Sequence, residues 1–134
     1  MTRGIKKIVI GYNRGWKQNC NMGRKNNEKF YSIPHLKLLE YIKYRALKNG
    51  IEVLEQEESY TSKCDALGLE EIKKHKTYRG KRVKRGLFQS SIGKLINADV
   101  NGALNILRKS VSCNSLILEI AGRGFVFQPL RVYI

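Results

Sequence analysis

The chain has 134 residues, of which 26 are Lys or Arg and 11 are Asp or Glu, giving a formal net charge of +15 and a pI near 10.0. A hydrophobic fraction of 42% supports one modest core rather than a disordered tail, and the charge points to a polyanionic partner, most often nucleic acid. No apolar run reaches the ~18 residues of a membrane span, no secretory signal opens the chain, and no basic amphipathic helix with a bulky apolar face favours a lipid surface.

Ile5 to Ile10 is a short β-branched run that predicts a buried strand ended by Gly11. Tyr12 to Asn27 is polar and rich in Gly and Asn, hence loop. Pro34 suits a first helical turn, and Leu36, Leu39, Ile42, Ala46 and Leu47 then recur at helical spacing up to a Gly50 cap. Ile51 to Gln56 reads as a second strand. This strand–helix–strand unit predicts two parallel neighbours with a right-handed crossover, whose carboxyl ends, Gly11–Asn13 and Glu55–Glu58, are where such sheets gather ligands. Residues 59–96 read as irregular, with a short basic ribbon beginning at Lys81. A helix capped by Asn97 follows, carrying Asp99 in its first turn and Val100, Ala103, Leu104 and Leu107 on one face. The apolar tail, Leu116–Ile120 and Phe125–Phe127, reads as strands.

Charge is segregated along the chain. The first 27 residues carry seven basic side chains and no acidic one, and residues 52–71 carry seven of the eleven acidic ones. Residues 72–98 are again basic without exception. A charge run is ordinarily a solvated face, but these runs carry Tyr12, Trp16, Tyr78 and Phe88, which can stack on bases. Asp99 is followed by amides at Asn101 and Asn105, a set that could join carboxylates from another element on a divalent ion; its ordinary reading is a helix start with capping residues. Glu55, Glu57 and Glu58 repel one another unless a cation or basic neighbours relieve them. Cys20, Cys64 and Cys113 are odd in number and scattered without a Cys-x-x-Cys, which points to free thiols in a reducing cytoplasm. Cys64 and His75 have no further Cys or His at structural-zinc spacing.

Four segments in order resemble the C-terminal third of TnpB-type (OrfB) insertion-sequence proteins, relatives of type V CRISPR effectors. They are Ile8–Gln18, Glu57–Lys63, Gly80–Phe88 and Asn97–Ile106. Each is weak alone, and together they are specific. The resemblance implies an α/β, partial RNase H-like (RuvC-like) fold, with residues 1–58 and 97–134 forming the C-terminal half of a nuclease domain. Residues 59–96 would be its target-nucleic-acid-binding insertion. It implies an RNA-guided DNA endonuclease using Mg²⁺ or Mn²⁺, held by Asp99 together with Glu57 or Glu58. Arg14, Trp16, Lys17, Lys81, Arg82, Lys84 and Arg85 would meet nucleic acid, the partners being a DNA target and a guide RNA.

Two departures qualify that picture. The insertion of the family carries two Cys-x-x-Cys pairs for zinc, whereas only Cys64 stands there in this sequence, so a zinc ribbon is not expected. The first catalytic Asp of the family belongs to a strand ahead of Ile5. Three functions follow: a nuclease-derived piece that binds nucleic acid but is inert alone, one subunit of a split enzyme completed by an upstream-encoded chain, and a non-catalytic basic binding module.

Overall fold

A computed structural model describes residues 4–13 and 35–111. Two compact units divide between Glu57 and Glu58. The first holds strand β1 (Lys7–Tyr12), helix α1 (His35–Lys48) and strand β2 (Glu52–Glu57). The strands pair in parallel, from Lys7 opposite Glu52 to Tyr12 opposite Glu57. The expected crossover unit is therefore present, with two corrections. Gly11 does not end the strand but pairs with Gln56 inside it, because the ladder continues past the β-branched run. Nor is β1 fully buried: Lys7 is exposed and the rest half-buried.

Helix α1 buries Leu39 and Ala46. Leu36 and Leu47, expected on that face, are 43% and 79% exposed. Both stand on the same flank of the line through Leu39 and Ala46, about 60–100° round the helix, at the margin of the buried stripe rather than along its centre. Gly50 caps the helix at φ 67°: Ile51 N–H donates to Ala46 O (2.9 Å) and Gly50 N–H to Leu47 O (3.2 Å), the paired bonds of a Schellman motif. Lys43 in α1 reaches Glu55 in β2 at 2.8 Å.

The second unit holds an antiparallel sheet of β3 (Lys81–Lys84), β4 (Leu87–Gln89) and β5 (Leu95–Asn97), in that spatial order, and helix α2 (Ala98–Val111). The sequence expectation of an irregular 59–96 is corrected here. Strands of three or four residues are too short to display an alternation, and their turns are legible only through Gly86 and Gly93, at φ 79° and 83°. Asn97 caps α2 as expected, its Oδ1 accepting the N–H of Asp99 (2.9 Å) and Val100 (3.2 Å). The core gathers Ala66, Leu67, Phe88, Ile96, Ala98 and Leu104, with Leu69, Val100 and Leu107 packed against it. Ala103, placed on that face by spacing, is exposed. The predicted strands after residue 111 lie outside the described residues.

Candidate nucleic-acid interface

Lys81, Arg82, Val83 and Lys84 of β3 are all exposed, and Arg85 follows in the exposed turn. Their exposure has a geometric origin. Among the described residues β3 pairs with β4 alone, and the register slips between Arg82 and Lys84, bending the strand. Beside this ribbon lies a cleft of about 370 Å³, lined by Ser62, Lys63, Tyr78, Gly80, Lys81 and Arg82 with the buried Phe88. Lys63 Nζ stands 5.9 Å from the Tyr78 ring centroid, and His75 meets that ring edge-on at 5.3 Å. Gly80 packs directly against the lining of this cleft: a Cβ built there would strike the Phe88 ring and lie 2.9 Å from Gln89 O. Cations and an aromatic ring around one opening are what a nucleic-acid strand uses, the cations for phosphate and the ring for a base. Lys63 is the member that charge counting missed, because it lies outside the basic run and reaches the cleft only through the fold.

The wall of the cleft is set by a polar frame on α2. Asn101 Oδ1 accepts Ala66 N–H (3.0 Å) and its amide donates to Cys64 O (2.9 Å). The Asn105 amide donates to Thr61 O (2.8 Å) and Cys64 O (2.7 Å). Arg108 donates to Asn105 Oδ1 (2.7 Å) and Glu70 O (2.8 Å). These residues, at i, i+4 and i+7, form one buried stripe that fastens the segment 61–70. The amides are thus committed to backbone groups, whereas Asp99 is exposed.

Asp65 fastens the same segment to the turn after β4. Its carboxylate accepts from Gly68 N–H (3.1 Å), Ser90 Oγ (2.7 Å), Ser91 N–H (2.7 Å) and Ser91 Oγ (2.6 Å). Burial pushes the Asp65 carboxyl upward, but the Ser91 and Ser90 hydroxyls and the Ser91 and Gly68 amides outweigh it and hold it below its ordinary range. Burial lowers the Arg108 guanidinium, against the opposing pull of Cys64, Asp65 and Glu70.

Of the expected metal-binding carboxylates, Glu57 closes β2, half-buried, Glu58 opens the second unit, also half-buried, and Asp99 stands exposed in the first turn of α2. Glu55 reaches toward α1 through Lys43, and strand alternation puts Glu57 on the same side. Arg14, Trp16 and Lys17 lie outside the described residues. One group that spacing did not unite is brought together: ligand atoms of Cys64, Glu70 and His75 all lie within 4.8 Å of one another.

No helix among the described residues is long and apolar enough to cross a membrane. No curated protein matches the chain. A family model described as "Cas12f1-like, TNB domain" matches residues 35–106, more than half of the 134, and takes in α1, β2, the cleft, the basic ribbon and the Asn-bearing turns of α2. The chain belongs to this Cas12f1-like TNB domain family, and with it to the TnpB- and Cas12f-type proteins.

Proposed function

We propose that this chain is part of a TnpB-type RNA-guided DNA endonuclease, and that residues 59–96 grip the target strand. The observation that carries the reading is the exposed basic ribbon Lys81–Arg85 beside a cleft that holds Lys63 and Tyr78. Lys81, Arg82, Lys84 and Arg85 would track phosphates, and Tyr78 would take a base that has left its stack. Edge lysines also discourage strand-to-strand aggregation, a purely protective role that would need no aromatic neighbour.

In the same reading residues 1–58 and 97–134 belong to the nuclease domain. Asp99 with Glu57 or Glu58 would hold Mg²⁺, since carboxylate oxygens suit that hard cation. Bound there, the ion would stabilise developing charge on the phosphodiester oxygens. A further carboxylate would complete the set, and residues 1–134 alone would bind without cutting.

The test is binding of single-stranded DNA or RNA to the purified chain over a salt series. If several phosphates are engaged, log affinity falls against log salt with a slope of roughly −0.7 per contact. Reversing Arg82 and Arg85 to Glu should flatten that slope by about two contacts' worth and weaken binding to all sequences alike. Salt-insensitive binding, or wild-type affinity in the double reversal, would refute the assignment.

A further inference from the structure

Three ligand-bearing side chains are gathered beside the interface just described, which only His75 touches, at the edge of the Tyr78 ring. Cys64 is fully buried at the turn after Tyr60, and Glu70 is 2% exposed at the end of the following loop. His75 is half-buried and lies four residues after Glu71, whose carbonyl oxygen is 2.7 Å from its Nε2. We propose that Cys64, Glu70 and His75 form a binding site for a thiophilic divalent cation, Zn²⁺ by the chemistry of the set. This goes beyond the nucleic-acid reading and differs from a ribbon of four thiolates.

The geometry needs little change. Zinc takes sulfur at ~2.3 Å and nitrogen or oxygen at ~2.0–2.2 Å in a tetrahedron, which puts ligand atoms roughly 3.3–3.7 Å apart. From separations within 4.8 Å the set contracts by roughly 1.5 Å at most. His75, in a loop and half-buried, is free of the core packing that fixes Cys64 and Glu70 and can make that adjustment.

Two features prepare the site. The Glu70 carboxylate is oriented by the N–H groups of Asp65 (3.0 Å, to Oε1) and Arg79 (2.9 Å, to Oε2), which leaves each oxygen a second lone pair for a cation. The Cys64 thiol lies 3.6 Å from both Glu71 O and Lys73 O, so its sulfur faces a polar lining rather than hydrocarbon. A thiolate and a carboxylate neutralise a divalent charge, and a water molecule or one of those carbonyls fills the fourth position. Burial raises the Cys64 thiol, so cation binding releases its proton to solvent. A thiolate ligand disfavours Mg²⁺ and Ca²⁺, and a mixed sulfur, nitrogen and oxygen set suits zinc. Occupancy would brace the loop from Cys64 to His75 and, through the His75–Tyr78 edge contact, the cleft wall.

The test is titration of the full reduced chain with Co²⁺, followed by displacement with Zn²⁺. The expected result is one Co²⁺ per chain, with a sulfur-to-cobalt charge-transfer band and tetrahedral ligand-field absorption, both lost on adding Zn²⁺. Cys64→Ser should abolish the charge-transfer band. His75→Ala should weaken affinity by roughly tenfold or more, and a chain with Cys20 and Cys113 both changed to Ser should keep the band. His75→Ala changes a half-buried loop residue, so it reports on the site even if Cys64→Ser fails to fold. Absence of the band in the wild type, its survival in Cys64→Ser, or wild-type affinity in His75→Ala would each overturn the proposal.

Discussion

Replacing Asp65 by Asn changes one atom and should nonetheless cost much of the second unit's stability. The carboxylate accepts four hydrogen bonds, two from hydroxyls and two from backbone N–H groups. An Asn keeps one acceptor oxygen and presents a donor where the other stood. The Ser90 and Ser91 hydroxyls can rotate to accept from it, but the N–H of Ser91 or of Gly68 then faces an NH₂ group. A backbone donor left buried without a partner costs about 1–3 kcal/mol, and losing the charge from the remaining bonds raises the total to roughly 2–4 kcal/mol. For a unit this size that corresponds to a melting temperature lower by on the order of 10–20 °C. Circular dichroism melts and urea titrations of both proteins give the difference, and amide hydrogen exchange at Gly68 and Ser91 localises it. A loss below about 0.5 kcal/mol, the range of an ordinary surface change, would refute the account of Asp65 as the fastening of this loop.

The same residue predicts an acid limb. Its folded pKa is depressed, so the stability it contributes is fully present above the unfolded carboxylate value of about 3.9 and is lost as pH falls through the folded value. The stability gap between wild type and Asp65→Asn should therefore be constant at neutral pH and narrow below pH ~4. A gap that stays level down to pH ~2 would contradict the depressed carboxyl.

Two further substitutions separate fold from function. Gly80→Ala drives a methyl into the Phe88 ring and toward Gln89 O, and should lower stability by about 1–3 kcal/mol in the same melts while displacing a ring that lines the cleft. Asp99→Ala should cost no more than about 1 kcal/mol, the worth of an exposed acid at a helix N-terminus, and leave the salt slope of nucleic-acid binding unchanged. Where the metal site is complete, the same change should abolish Mg²⁺-dependent cleavage. Nicking by the purified chain alone that disappears in Asp99→Ala would show a site completed from within.

The elements that sequence periodicity reaches best are those whose partners lie along the chain. β1, α1 and β2 follow from a β-branched run, a helical repeat and a glycine cap. The Schellman bonds at Gly50 confirm the local chemistry on which that reading rests. The second unit was less legible because its order is carried by polar side chains rather than by an apolar pattern. Asp65, Asn101, Asn105 and Arg108 are all buried, and composition alone assigns such residues to the surface. The cluster of Cys64, Glu70 and His75 is illegible for a related reason. Cys64 and His75 have no third Cys or His near them in sequence, and the third donor, Glu70, belongs by sequence to an acidic island.

The motif from Asn97 to Arg108 illustrates how spacing on a helix separates roles that a linear reading merges. Two residues on, the helix has turned by about 200°, so Asn101 must look away from Asp99. Asn105 and Arg108 then return to the side of Asn101, and the hydrogen bonds to Thr61, Cys64, Ala66 and Glu70 follow. One helix thereby presents an acid to solvent and holds the cleft-bearing segment on its other face. Because both are fixed to the same rigid rod, a change that loosens the Asn stripe shifts the cleft relative to Asp99. An Asn105→Ala chain should accordingly lose cleft binding together with stability, whereas Asp99→Ala should keep cleft binding and give up no more than about 1 kcal/mol.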